Sequence, residues 1–193
     1  MGVGIGKMIT TVVVIAELIG GQAPVVNVPD PAPVETQAVI ETQAIREIPQ
    51  APRAEGFVAY RIYGRDLPME WQTFLYGKLA ARGYGWYYPY AVCQIFQESR
   101  WSQWSDNGRD FGICQQKGIY WESRAAHYGI AGADIWDVYA QFHVYAAMMC
   151  DYLDYYGGDV GMALSAYYLG AWEYSETYVN NVMEHWPALE VVR

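Results

Sequence analysis

The chain has 193 residues, of which 53% are hydrophobic and 16% aromatic, and its formal net charge is −9 at pH 7. This apolar content predicts a packed core and excludes disorder throughout, and the length favours one domain with appendages over two full domains. The acidic balance argues against a nucleic-acid partner, because phosphate binding needs clustered lysines and arginines and the sequence has no such cluster.

The N-terminal segment, residues 1–20, contains an apolar run at residues 8–19 that follows Lys7 and is interrupted by Glu17. A charged start, an apolar middle and nearby small residues are the parts of an export signal, so this segment is predicted to be a signal peptide. A weak membrane anchor formed by residues 8–19 is the close alternative, although the run is short for a membrane-spanning helix. A short buried helix or strand ranks third.

Residues 21–55 differ in composition from the rest of the chain. They carry six prolines and no aromatic residue, and the tetrapeptide ETQA occurs twice, from Glu35 and from Glu41. Prolines at this density favour an extended, poorly packed chain. The segment is therefore predicted to be a disordered linker rich in proline, glutamine and alanine.

The remaining residues, 56–193, are predicted to form one mainly helical domain, because apolar residues recur at steps of three and four. An irregular stretch at residues 101–116, which contains two glycines, interrupts the helical pattern and could form a cleft. The predicted helices span residues 68–81 (capped by Asp66), 89–100, 134–156 (ending at Gly157 and Gly158) and 162–168 (capped by Asp159, closed by Gly170), with a last one capped by Ser175 that stops before Pro187.

The cysteines and histidines give no sign of a metal or cofactor. Cys93, Cys114 and Cys150 lie far apart without a CxxC pair, and their odd number leaves at least one thiol unpaired unless it bridges two chains. The three histidines have no metal-ligand spacing with them. The sequence therefore predicts neither a metal nor a cofactor, and it leaves the redox compartment undecided.

Glu98 is the candidate catalytic residue. It lies on the predicted helix 89–100, at the edge of the apolar face and beside Ala91 and Ile95, where a core meets a cleft. Cleaving a glycosidic bond needs a carboxylic acid that stays protonated near neutral pH, and partly apolar surroundings favour the protonated form. By itself this signal is weak, since most glutamates near a helix end are solvated.

Four sequence pieces strengthen the assignment. QESRW (residues 97–101), GRDFGICQQ (108–116), ALSAYYLG (163–170) and ETYVNNV (176–182) occur in this order. Together they resemble the motifs of the lytic transglycosylases, from the catalytic Glu-Ser to the closing Glu-Thr-x-x-Tyr-Val segment. The likeness covers about residues 89–182. The chain departs from the family at Tyr168, where Asn is usual, at Cys114, where Met is usual, and by one residue fewer before Tyr178.

The resemblance implies a lysozyme-like α domain of the goose-type lysozyme and transglycosylase kind. It implies that Glu98 protonates the oxygen between N-acetylmuramic acid and N-acetylglucosamine in peptidoglycan, then acts as base on the muramic acid C6 hydroxyl. The product would be a 1,6-anhydro ring, formed without a metal or cofactor. The same resemblance gives Ser99 a role in supporting Glu98, and it makes Gln115 and Tyr167 contacts to the sugar or to Glu98.

Asp110 leaves a second chemistry open. Residues 110–113 also resemble the Asp-Tyr-Gly-Ile stretch of hydrolytic lysozymes, in which that aspartate is the second carboxylate. Asp110 would then be a nucleophile or a charge stabiliser. A loop residue that caps nearby backbone N–H groups is an equal alternative.

Five aromatic residues surround the predicted cleft, and flat rings suit the apolar faces of sugars. We expect one or two of them to contact substrate, with Trp101 and Phe111 as first candidates and Trp104, Tyr120 and Trp121 as the others. The partner class is then a peptidoglycan glycan strand, and the protein would be exported, in the periplasm or cell envelope, or carried on a phage virion. A non-catalytic wall-binding or structural module of an envelope or phage assembly is the alternative of a different class.

Overall fold

The computed structural model describes residues 48–50, 56–170 and 173–192. This part of the chain is mainly helical, which confirms the predicted α class. The predicted signal or anchor segment and most of the predicted linker lie outside it. Within the described residues the six α-helices are α1 (Met69–Ala80), α2 (Tyr88–Ser99), α3 (Gly118–His127), α4 (Val138–Tyr155), α5 (Val160–Leu169) and α6 (Glu176–Met183), and single 3-10 turns occupy Gly85–Tyr87 and Trp186–Ala188.

Helix α2 is the centre of the fold. Its residues 88–96 and Ser99 are all buried, so it is surrounded on nearly every side. Helices α1 and α6 pack against it, and α4 packs against both α1 and α5. A helix that is apolar almost all round belongs in a core, and the polar residues of α2 are therefore confined to positions where a partner can reach them.

The predicted helix ends are largely confirmed. Helices α1 and α2 lie within one residue of the predicted ranges 68–81 and 89–100. The side chain of Asp159 accepts a hydrogen bond from the backbone N–H of Met162 at 2.9 Å, and Ser175 accepts one from Tyr178 at 3.3 Å. Gly170 ends α5 with φ +66°, a conformation that glycine adopts without strain.

Two local predictions were wrong, and one helix was missed. Helix α4 begins at Val138 rather than at residue 134, because the cap is Asp137, which accepts the backbone N–H of Tyr139 at 2.9 Å. Asp66 does not cap α1, since it belongs to a strand and Pro68 precedes the helix without a side-chain cap. Helix α3 was not predicted at all; it buries only Trp121 and Ala125 and starts without a side-chain cap.

Five short strands complete the described fold. β1 (Tyr60–Ile62) lies between β2 (Arg65–Asp66) and β5 (Leu189–Val191), and both pairs are antiparallel. β3 (Asp110–Phe111) and β4 (Gln116–Lys117) form a hairpin that lies in the predicted irregular stretch, residues 101–116, and extends one residue beyond it. The hairpin brings Asp110 and the loop at residues 112–115 beside the C-terminal end of α2.

Candidate active site

Glu98 lies in the last turn of α2 and is partly buried, as the sequence predicted for a residue at the boundary of the core. The chain turns away sharply after it, because Arg100 and Trp101 both have positive φ, at 54° and 65°. Burial raises the pKa of Glu98 from its ordinary 4.5 to about 7; a hydrogen bond from Tyr178 lowers it in part, and the nearby charge of Asp110 raises it. A carboxyl with this pKa is about half protonated at neutral pH.

A hydrogen-bonded chain of buried side chains leads to Glu98. The hydroxyl of Tyr178 donates to Oε1 of Glu98, and Nε2 of Gln94 donates to the Tyr178 oxygen at 3.1 Å. The hydroxyls of Tyr87 and Tyr145 donate to Oε1 of Gln94 at 3.0 and 2.6 Å. Gln94 was not among the predicted site residues. A glutamine among apolar residues, one helical turn before Glu98, could have indicated a buried polar partner of the site.

Ser99 and Tyr167 both hold the loop that follows the hairpin strand β3. Ser99 Oγ donates to the carbonyl of Ile113 at 2.7 Å, and the Tyr167 hydroxyl donates to the carbonyl of Cys114 at 2.6 Å. Nε2 of the buried Gln116 donates to the Tyr167 oxygen at 2.8 Å. Ser99 thus ties the end of α2 to this loop, and a role for Ser99 in supporting Glu98 stays a prediction.

The side chain of Gln115 forms its hydrogen bonds within its own loop. Its backbone has φ 48°, and its amide donates to the carbonyls of Gly112 at 2.9 Å and Ser105 at 3.2 Å. Its Oε1 accepts a hydrogen bond from Asn107 at 3.3 Å. Both ends of the amide are therefore occupied within the loop, and the contact with a sugar or with Glu98 stays a prediction.

The same loop rests on Gln141 of α4, a buried residue that the sequence did not single out. Its Oε1 accepts the backbone N–H of Cys114 at 2.8 Å, and its Nε2 donates to the carbonyls of Phe111, at 3.0 Å, and Ile135. Gly112 makes this approach feasible, because a Cβ at that position would lie 1.8 Å from Nε2 of Gln141.

Asp110 is partly buried on β3, and its carboxylate accepts a hydrogen bond from Nδ2 of Asn107 at 3.1 Å. The backbone N–H groups of this turn are capped by other residues, Asp106 for Gly108 at 2.6 Å and Asn107 for Arg109 at 3.0 Å. The capping role considered for Asp110 is therefore wrong. Its charge lies close enough to Glu98 to raise that residue's pKa.

The aromatic candidates divide between core and surface. Trp101 is buried, packs edge-on against Phe96 at 5.0 Å between ring centroids, and donates its indole N–H to the carbonyl of Val92 at 3.3 Å. Trp101 therefore belongs to the core rather than to the predicted sugar-binding residues, because so buried a ring has little face left for a sugar. Tyr168 is half exposed and stacks on Tyr178, with ring centroids 4.5 Å apart and an angle of 5° between the ring planes.

Phe111 lies beside a surface group of tryptophans. Its ring meets Trp136 edge-on, with the ring centroids 5.7 Å apart. The ring of Trp104, a residue that is 70% exposed, lies 5.8 Å from that of Trp136. An adjoining open groove has a volume of about 320 Å³ and is lined by Phe111, Gly118, Ile119, Trp121, Glu122, Ile135 and Trp136. Phe111 directly follows Asp110, so the groove lies next to the hairpin that carries Asp110.

The described residues include no group of three His, Cys, Asp or Glu side chains that could hold a metal ion. Cys93, Cys114 and Cys150 are buried free thiols. None of the helices between residues 56 and 192 that the structure describes is both long and apolar enough to cross a membrane. No family model, curated protein or solved structure matches this chain. The site therefore has to be interpreted from its own geometry, which is that of a partly buried acid in a mainly helical domain.

Proposed function

We propose that this domain has a lysozyme-like fold and cleaves the β-1,4 bond between N-acetylmuramic acid and N-acetylglucosamine in bacterial peptidoglycan. The observation that carries the proposal is the burial of Glu98 at the end of α2, which raises its pKa to about 7 and lets the same carboxyl serve as acid and then as base. The order of the four sequence motifs supports it, as does the position of Ser99 and Tyr167 around Glu98. A substrate of this kind requires export of the protein or its delivery with a phage virion.

In the proposed reaction, protonated Glu98 gives its proton to the glycosidic oxygen as the bond to the muramic acid C1 breaks. The substrate's N-acetyl group stabilises the positive charge at C1, and the hydroxyl of Tyr178 stabilises the carboxylate formed on Glu98. The carboxylate then removes the proton of the C6 hydroxyl, whose oxygen bonds to C1. The product is a 1,6-anhydro ring, and Glu98 is protonated again.

Digestion of purified peptidoglycan by the full chain, followed by mass spectrometry of the released muropeptides, tests this proposal. We expect products with 1,6-anhydromuramic ends, and a loss of about a thousandfold or more in rate for Glu98→Gln, because the amide has no proton to transfer. Glu70→Gln is the matched control, since Glu70 is an exposed residue of the first turn of α1. Equal rates for the two variants would contradict the proposal, and wall binding without any release would favour a non-catalytic module.

A hydrolytic muramidase is the second candidate, and the closeness of Asp110 to Glu98 favours it. In that mechanism Asp110 acts as nucleophile or charge stabiliser, water completes the reaction, and the products carry reducing ends.

Asp110→Asn separates the two candidates. For a transglycosylase we expect activity to be retained and its alkaline limb to move to lower pH, because the pKa of Glu98 falls when the neighbouring charge is removed. For a hydrolase we expect nearly all activity to be lost. Asp106→Asn, in the same turn, is the control, and the pH profile of muropeptide release is the measurement.

A further inference from the structure

The amide of Gln94 is a polar group enclosed in the core of the domain. Gln94 is fully buried in α2, and its amide is bonded at both ends: Oε1 accepts two tyrosine hydroxyls, and Nε2 donates to Tyr178. The described residues contain no buried side-chain nitrogen or oxygen without a partner. Burying such a group is costly unless every bond is made, and here both ends of the amide are bonded.

The directions of these hydrogen bonds depend on one another. A tyrosine hydroxyl can donate or accept, but an amide oxygen can only accept, so Tyr87 and Tyr145, which both face Oε1 of Gln94, donate to it and the other end of the amide faces Tyr178. That end is the NH₂ group, which can only donate. The oxygen of Tyr178 therefore accepts from Gln94, and its own proton is directed at Oε1 of Glu98.

We propose that Gln94 is a positioning residue, which holds the hydroxyl of Tyr178 as a hydrogen-bond donor to Glu98. The hydrogen bonds from Tyr87 and Tyr145 orient the amide of Gln94, and the hydrogen bond from Gln94 orients the hydroxyl of Tyr178. The catalytic value of this arrangement rests on the proposed function, since it stabilises the carboxylate that Glu98 becomes after giving up its proton. The arrangement itself can be measured without any activity.

The pKa of Glu98 depends on the hydrogen bond that it receives from Tyr178, so its titration measures this arrangement. The titratable groups that interact with Glu98 are Asp110 on β3, Cys114 in the following loop, Tyr167 on α5 and Tyr178 on α6. Among these, Tyr178 lowers the pKa of Glu98 by donating a hydrogen bond to it, whereas burial and Asp110 raise it. Freeing the hydroxyl of Tyr178 to accept from the protonated acid should therefore raise the pKa of Glu98 further.

Carbon-13 NMR of the side-chain carboxyls tests this inference, with the Glu98→Gln spectrum assigning the resonance. We expect Gln94→Met to move the midpoint of the Glu98 titration up by about 0.5 to 1 pH unit. Because Gln94→Met leaves two buried hydroxyls without their acceptor, the triple variant Tyr87→Phe, Tyr145→Phe, Gln94→Met is measured as well. Its hydroxyls are removed together with the amide, so it should fold, and it should show the same shift.

Gln72→Met is the matched control. Gln72 is another buried glutamine, bonded to the backbone of Tyr60 and Leu67 and to the hydroxyl of Tyr88, and it belongs to α1. An unchanged midpoint in the triple variant would overturn the inference, as would an equal shift in Gln72→Met. If the wild-type chain releases no muropeptides, the proposed function fails, while the NMR titration still decides the role of Gln94.

Discussion

At the scale of single residues, the site is defined by a carboxyl whose proton is held more tightly in the folded protein than in the unfolded chain. The pKa of Glu98 rises from 4.5 to about 7 on folding, mainly through burial. Between these two values the folded state binds more protons than the unfolded state, so stability falls as the pH rises through this window. A group that costs stability at neutral pH is typical of functional sites.

Glu98→Gln should therefore stabilise the protein at high pH. At pH 8 we expect a gain of up to about 3 kcal/mol in the free energy of unfolding, corresponding to the rise in pKa, because the amide has no charge to desolvate. The amide oxygen can still accept the hydrogen bond from Tyr178. Below pH 4.5 the gain should vanish, because the wild-type carboxyl is then neutral in both states. Urea denaturation of the wild type and the variant at pH 4 and pH 8 measures this gain. An equal difference in the free energy of unfolding at both pH values would contradict the raised pKa of Glu98.

At the scale of elements, the loop at residues 112–115 connects the hairpin to α2, α4 and α5. Ser99 of α2 and Tyr167 of α5 each donate to one of its carbonyls, and Gln141 of α4 bonds it from the other side. Since Ser99 directly follows Glu98, an ordered loop also orders the end of the helix that carries the acid. The position of the carboxyl thus depends on three helices and a hairpin that are distant in the sequence.

Gly112→Ala tests this dependence. Gly112 has φ +73°, and an added Cβ would meet the amide of Gln141, whereas Gly108 has φ +84° and open space around it. Both variants should lose about 1 to 2 kcal/mol through backbone strain. Gly112→Ala should lose at least about 2 kcal/mol more, because Gln141 must leave its bonds to the loop. Chemical denaturation of the two variants measures the difference, and equal losses would show that the Gln141 contact contributes nothing.

At the scale of the whole molecule, the folded domain extends into the segment that the sequence assigned to the linker. Ile48 packs against the main core, with its Cδ1 near Gly161 of α5, and the hydroxyl of Tyr90 donates to the carbonyl of Pro49. The sheet joins two other remote parts of the chain, since β1 pairs with β5 near the C-terminus. An apolar side chain beside the core gains free energy by burial, whatever the composition of its neighbours in sequence.

Ile48→Ala should accordingly destabilise the domain. We expect a loss of about 1 to 2 kcal/mol, less than for a fully buried isoleucine because Ile48 is only partly buried. Gln50→Ala is the control, since Gln50 is exposed. Thermal unfolding of both full-length variants is the measurement, and equal melting temperatures would mean that Ile48 contributes no packing.

The sequence by itself determined the mainly helical class, most helix ends and the position of Glu98 at the boundary of the core. These features depend on residues close together in the chain: apolar residues at helical spacing, the caps Asp159 and Ser175, and a glycine after α5. Such short-range signals can be identified from a sequence.

Only the tertiary structure decided the rest. Tyr178 contacts Glu98 from 80 positions away in the sequence, and Tyr145 contacts Gln94 from 51 positions away. Trp101 is buried in the core, and Gln141 of α4 bonds the loop at residues 112–115. The tertiary structure also formed strands of two or three residues, too short to leave a periodic pattern. The physical reason is that a buried polar group is satisfied by whatever partner the packing brings within reach, and that partner is set by the arrangement of the helices rather than by distance along the chain.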